Sequence, residues 1–222
     1  LDVYDASARR TAAATGMVVV SVDYRRSPEA PFPVGLTDTY RALHHLSDAL
    51  DGVATTGRVH GVADSGGAAK LASIAMRTAE GQWTSPIERQ VLIYPSLDYT
   101  MRGDSMREFG TGYFLAAERV EWYLDHYFPE RADRNAASPL FGAVSADMPE
   151  TLVIAAEFDP LYSEAVEYVA RLRAAGARAE LLVARGMIHA FAFFETIVPE
   201  AIDRLYEVIA GFLGEGSVPE NW

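Results

Sequence analysis

The sequence predicts an α/β fold, a mostly parallel sheet flanked by helices, and three observations carry that prediction. Short apolar runs recur along the chain at residues 17–23, 59–63, 90–94, 151–156 and 179–184. Several are β-branched and apolar throughout, the pattern of strands buried on both faces of a sheet. Longer amphipathic stretches lie between them, and such alternation implies parallel strands joined by crossover helices. The length of 222 residues suits one domain, residues 1–222, with a sizeable core.

Taken in order, residues 6–15 are an alanine-rich helix that Gly16 stops. The run 17–23 is the first strand. Residues 36–50 place Leu36, Tyr40, Leu43, Leu46 and Leu50 on one helical face. The strand at 59–63 contains His60, expected as a satisfied core histidine, and leads into a helix over 68–79. The strand at 90–94 is followed by residues 98–143, the longest stretch without a strand. That stretch predicts a helical excursion, including a helix over 116–127, which contributes to the rim of the active site. Strand 151–156, helix 163–175, strand 179–184 and helix 199–213 complete the chain. There is no internal repeat and no low-complexity linker.

Composition narrows the function. Hydrophobic residues are 50% and charged residues 23%, which excludes a disordered chain. The net charge of -12 repels phosphate backbones and anionic lipid, so nucleic acid and polybasic membrane docking are excluded as partners, while small or neutral substrates are not. The absence of cysteine rules out disulfides, thiolate metal sites and a cysteine nucleophile. Lys70 is the only lysine, which reads as coding bias. The longest apolar runs fall far short of the ~20 residues that cross a bilayer, so no membrane span is expected. No basic-then-apolar leader opens the sequence, so a cytoplasmic location is the default. A homodimer stays open.

Three motifs carry chemistry. Ala63-Asp64-Ser65-Gly66-Gly67 joins an apolar strand to a helix, the context of a nucleophile elbow, with small residues two before and two after the serine. The helix start leaves backbone N–H groups, Gly66 first among them, that favour a developing oxyanion. The bland alternative is a capping serine. Phe158-Asp159-Pro160 places an acid at the carboxyl end of a buried strand, where α/β enzymes gather active groups; an aspartate capping the next helix is the competing reading. Gly186-Met187-Ile188-His189 places an imidazole after the last strand, expected to be mobile and half-exposed. Of His44, His45, His60, His126 and His189, only His189 follows both Ser65 and Asp159, and the order Ser, acid, His is that of an α/β-hydrolase triad. His44, His45 and His126 fall on amphipathic helices as surface residues.

These residues resemble the hormone-sensitive-lipase-like (bacterial family IV) esterases. The resemblance rests on Asp23-Tyr24-Arg25-Arg26-Ser27-Pro28-Glu29-Ala30-Pro31-Phe32-Pro33, on the elbow, on Asp159-Pro160-Leu161 and on His189-Ala190-Phe191, with further matches at Arg107-Glu108-Phe109, Gly112-Tyr113-Phe114 and Ala137-Ser138-Pro139-Leu140. It implies an α/β-hydrolase fold, hydrolysis of short- or medium-chain acyl esters as small-molecule substrates, and no cofactor or metal. Ala63 and Ala190 stand where the family has glycine, and the latter exchange is expected to be tolerated. The family's His-Gly-Gly-Gly oxyanion segment, first three strands and cap helices have no counterpart here, so the resemblance implies an N-terminally truncated chain. In the family the third strand separates the fourth, matched here by 17–23, from the fifth, matched by 59–63, so either 17–23 closes that gap or the chain aggregates or depends on a partner. An amidase or deacetylase with the same triad, and a catalytically dead binding module, are the alternative readings.

Overall fold

The computed structural model describes residues 2–130 and 133–222. In chain order the elements are helices α1 (Asp2–Thr15), α2 (Val34–His44) and α3 (Leu46–Ala49), strand β1 (Val59–Asp64), helix α4 (Ser65–Ala79), strand β2 (Ile87–Ile93), helices α5 (Asp104–Phe109), α6 (Ala117–Tyr127) and α7 (Asp133–Ala137), strand β3 (Glu150–Phe158), helix α8 (Tyr162–Ala174), strand β4 (Ala179–Ile188) and helix α9 (Pro199–Glu215). The four strands form one parallel sheet in the order β1-β2-β3-β4.

The alternation of side chains along a strand sorts the core into two layers. In β3, Leu152, Ile154 and Ala156 point to one face and Val153 and Ala155 to the other, all fully buried. Helices α4 and α8 cover the second of these faces through Ala68, Leu71, Ala72, Ala75, Tyr168, Val169 and Leu172. Helix α9 covers the first with Ile202, Leu205, Ile209 and Phe212. Helix α1 lies against α9, and Arg10 of α1 stacks 4.8 Å over the Tyr206 ring. A third cluster, Tyr99, Met106, Val120, Leu124, Phe128 and Leu161, joins α5 and α6 to the segments that leave the carboxyl ends of β2 and β3. Most of its residues come from the helical stretch between β2 and β3.

Two expectations are corrected here. The run at residues 17–23 forms no β-ladder, and Val18 and Val19 are 54% and 36% exposed. Among the described residues no strand lies beside it to take its N–H and C=O groups, and strand formation depends on that partner. The gap is therefore not closed by this segment, and among the described residues β2 is the only ladder partner of β1. The single helix expected over 36–50 is broken at His45, whose N–H turns back to Ala42 O at 3.1 Å. The side chain of His44 ends that helix against Thr84 O, and Tyr40 stacks on Trp83 at 4.1 Å.

Candidate active site

The serine stands where β1 runs into α4 with no intervening loop: Asp64 ends the strand and Ser65 opens the helix. Its φ of +47° is the left-handed region, a conformation that costs a non-glycine residue free energy and persists only where the surroundings impose it. Such a turn lifts the side chain above the sheet. A Cβ built on Gly67 would meet the Ala63 Cβ at 3.5 Å, ordinary contact, so alanine at position 63 fits the turn beside a glycine at 67. The Asp64 side chain makes no cap bond to α4, which leaves the first-turn N–H groups, including that of Gly66, open to an incoming group.

Asp159 and His189 come from the ends of β3 and β4. Ser65 Oγ lies 3.0 Å from His189 Nε2, and His189 Nδ1 lies 2.8 Å from Asp159 Oδ2. The other carboxylate oxygen of Asp159 accepts the Leu161 N–H at 2.9 Å, which fixes the orientation of the carboxylate. With Nδ1–H directed to the carboxylate, Nε2 carries the lone pair that can accept from the serine hydroxyl. Asp159 is 1% exposed and His189 6%. The imidazole is thus buried, against the expectation of a half-exposed group. The cause is the packing around it: the Tyr94 ring lies 4.7 Å from it, and Phe191 is 5.6 Å from Tyr94.

A bulge in the β3–β4 ladder aims this histidine. Ala156 pairs with Ala184, but the next pair is Phe158 with Ile188, so β4 carries extra residues over that step. Gly186 takes φ +74° within it, which glycine adopts without steric cost. Glu157 holds the bulge by accepting the Gly186 N–H at 2.7 Å and pairing with Arg185 at 3.0 Å. The Gly186 bond first, and Arg185 second, keep its carboxyl below the usual range.

Other groups around the site were not singled out by the sequence. Tyr94 ends an apolar run and so reads as core, and only its φ of +35° and its place against His189 mark it. Asp64 has its pKa raised by burial, opposed by nearby His189 and by the Tyr4 hydroxyl at 3.5 Å. Glu164, on α8, accepts the Leu97 N–H at 2.7 Å; burial pushes its carboxyl well above the usual range, with Asp98 and Asp159 adding to the shift. Phe109 and Tyr113 pack on Phe158, beside Asp159, and the exposed Phe114 packs edge-on to Phe194. Asp159 does not cap α8, whose cap position is Leu161. Against the expectation of a satisfied histidine, the buried Nδ1 of His60 meets no hydrogen-bond partner among the described residues. His44 and His45 are exposed, His45 facing Asp48 at 3.0 Å, whereas His126 is half-buried with Nδ1 on Trp122 O.

Among the described residues no group of three or more His, Cys, Asp or Glu side chains is placed to hold a metal ion, and no helix is long and apolar enough to cross a membrane. Residues 1–193 match the family described as alpha/beta hydrolase fold. The chain is 32% identical over 212 residues to the ethyl acetate hydrolase of Pseudomonas putida, a match covering 94% of this chain and 67% of that protein. It is 33% identical over 202 residues to the carboxylic ester hydrolase LipN of Mycobacterium tuberculosis, covering 86% of this chain and 53% of that one. Among solved structures, the hyperthermophilic esterase of Pyrobaculum calidifontis superimposes with a TM-score of 0.87 at 33% identity, over 96% of this chain and 71% of the other. The chain therefore spans between about half and two thirds of the length of these curated relatives. On this similarity and on its parallel sheet, the chain belongs to the α/β-hydrolase fold family, within the hormone-sensitive-lipase-like group of esterases.

Proposed function

We propose that the protein is a serine carboxylesterase that hydrolyses short- or medium-chain acyl esters through an acyl-enzyme, with Ser65 as nucleophile, His189 as general base and acid, and Asp159 as the group that fixes the imidazole. The observation that carries the reading is the unbroken chain of hydrogen bonds from Ser65 Oγ through His189 to Asp159, at 3.0 and 2.8 Å. A serine hydroxyl is a weak nucleophile until its proton is removed during attack. Nε2 takes that proton as Oγ bonds to the ester carbonyl carbon, and the buried Asp159 stabilises the imidazolium that forms. The oxyanion develops at the N-terminus of α4, where the Gly66 N–H donates to it. His189 then returns the proton to the departing alcohol. Water attacks the acyl-enzyme with the same imidazole as base, releasing the carboxylic acid and restoring Ser65.

The test is turnover of p-nitrophenyl acetate by the protein and by Ser65→Ala, His189→Ala and Asp159→Asn, with folding followed by circular dichroism. The first two substitutions should lower kcat by roughly 10⁴-fold, and the third steeply, with the fold retained. Retention of most activity by His189→Ala would overturn the assignment. Parallel assays on p-nitroacetanilide separate ester from amide cleavage, and faster turnover of the anilide would replace the esterase reading with an amidase.

A further inference from the structure

Lys70 lies on α4, about 7.5 Å along the helix axis from Ser65 at the ordinary rise per residue. It is the only lysine of the chain and is 8% exposed. A buried ammonium ordinarily has a carboxylate beside it, because an unpaired charge taken out of water is strongly destabilising. Lys70 has none among the described residues. Its Nζ donates to Gly66 O at 3.2 Å and sits 4.0 Å from the centre of the Tyr24 ring and 5.4 Å from that of Tyr127. The aromatic faces supply part of the missing attraction. Burial still brings its pKa down to about 8. The charge is present at neutral pH and is only partly compensated.

The ammonium lines a cleft of ≈180 Å³ whose walls are Tyr24, Trp122, Tyr123 and Tyr127. Arg25, Arg26 and His126 also line it, and among the described residues no carboxylate does. On a chain of net charge -12, a cleft with only cationic and neutral lining is a local reversal of sign. Arg25 is neutralised by Asp38, which it meets through Nε at 2.9 Å and Nη2 at 2.7 Å. Arg26 is exposed and pairs with no carboxylate among the described residues. The uncompensated charge of the cleft is therefore that of Lys70 at its wall and Arg26 at its mouth. Ser65, Asp159 and His189 do not line it.

We infer that this cleft is a binding site for a small organic monocarboxylate with a flat aromatic body, its carboxylate on Lys70 and Arg26 and its ring between the aromatic walls. The carboxylate supplies the counter-ion that the buried ammonium lacks, and the ring buries apolar area against tyrosine and tryptophan. A compact inorganic anion would satisfy the charge and leave the aromatic walls unused. The site is separate from the catalytic reading above, and its occupancy is measured without catalysis.

The experiment is calorimetric titration of the protein at pH 7 with sodium benzoate, with benzamide as the neutral isostere and inorganic phosphate as the compact anion. Benzoate should bind saturably and at least tenfold more tightly than either. Lys70→Met, which keeps the length of the stem, should weaken benzoate at least tenfold. Arg26→Gln, a surface change that leaves the core untouched, should weaken it severalfold, and Ser65→Ala should leave it unchanged. Absence of saturable benzoate binding, equal binding of benzamide, tighter binding of phosphate, or weakening by Ser65→Ala would each overturn the inference. So would unchanged benzoate affinity in Arg26→Gln, the variant that decides the matter if Lys70→Met does not fold.

Discussion

Ser65 and Ala190 both hold left-handed backbone, at φ +47° and +62°, on the two sides of the same hydrogen bond network. At Ser65 the conformation aims the nucleophile. At Ala190 it starts the short turn Phe191–Phe193, and the methyl group there costs stability. Alanine at 190 was expected to be tolerated, and it is accommodated in a conformation that glycine would adopt freely. Ala190→Gly should raise the free energy of unfolding by about 0.5–1 kcal/mol in urea denaturation; a loss of stability would show that the turn is not strained. Glu164 offers a second residue-level prediction. Its folded-state pKa is raised, so its contribution is complete below the pH at which the unfolded chain ionises and is lost as pH rises towards the folded value. Glu164→Gln keeps an acceptor for the Leu97 N–H but cannot ionise. Its melting temperature should match that of the parent below the ordinary carboxylate range and exceed it by a growing margin as pH rises above that range, and parallel pH profiles would contradict the shift. The catalytic candidates were legible because residue type, strand-end position and chain order coincide at Ser65, Asp159 and His189. Tyr94 and Glu164 were not, because an aromatic at the end of an apolar run and an acid on an amphipathic helix look ordinary until their neighbours are known.

At the scale of elements, β1, β2, β3 and β4 were legible because each is an apolar run with a strand on at least one side. Residues 17–23 have the same composition and form no ladder, since pairing depends on what lies alongside rather than on the segment itself. The break at His45 was illegible for a related reason: the helical face continues through Leu46 and Leu50, while the interruption is held by Thr84, far along the chain. The β3–β4 bulge is the element that matters most to the site. The sequence ended this strand at residue 184 and put Gly186 in the following loop, whereas β4 continues through the bulge to Ile188, and the partner Glu157 could be identified only in space. Glu157→Ala removes the acceptor of the Gly186 N–H and the partner of Arg185. It should lower kcat on p-nitrophenyl acetate roughly tenfold or more with KM little changed, since a shifted imidazole impairs orientation more than substrate binding. Glu157→Gln, which keeps an acceptor for Gly186, should recover much of the loss. An equal fall in both variants would mean that the bulge is held by something other than this bond.

For the molecule as a whole, a parallel sheet collects residues remote in sequence. Ser65, Asp159 and His189 are separated by 94 and 30 positions in sequence, yet all three follow directly on the carboxyl ends of strands, and the crossovers through α4 and α8 place those ends at one rim. The layers on the two faces supply the rigidity that holds hydrogen bonds of 3.0 and 2.8 Å between three chain segments. On the proposed reading this assembly activates Ser65, and a fluorophosphonate probe reads that activation directly, because a serine hydroxyl reacts with it at a useful rate only when a base takes its proton. Peptide mapping by mass spectrometry after labelling should find the probe on Ser65 in the parent protein and lose it in His189→Ala, with circular dichroism showing parent and variant both folded. No label on Ser65 in the folded parent, or undiminished labelling of Ser65 in folded His189→Ala, would contradict the account.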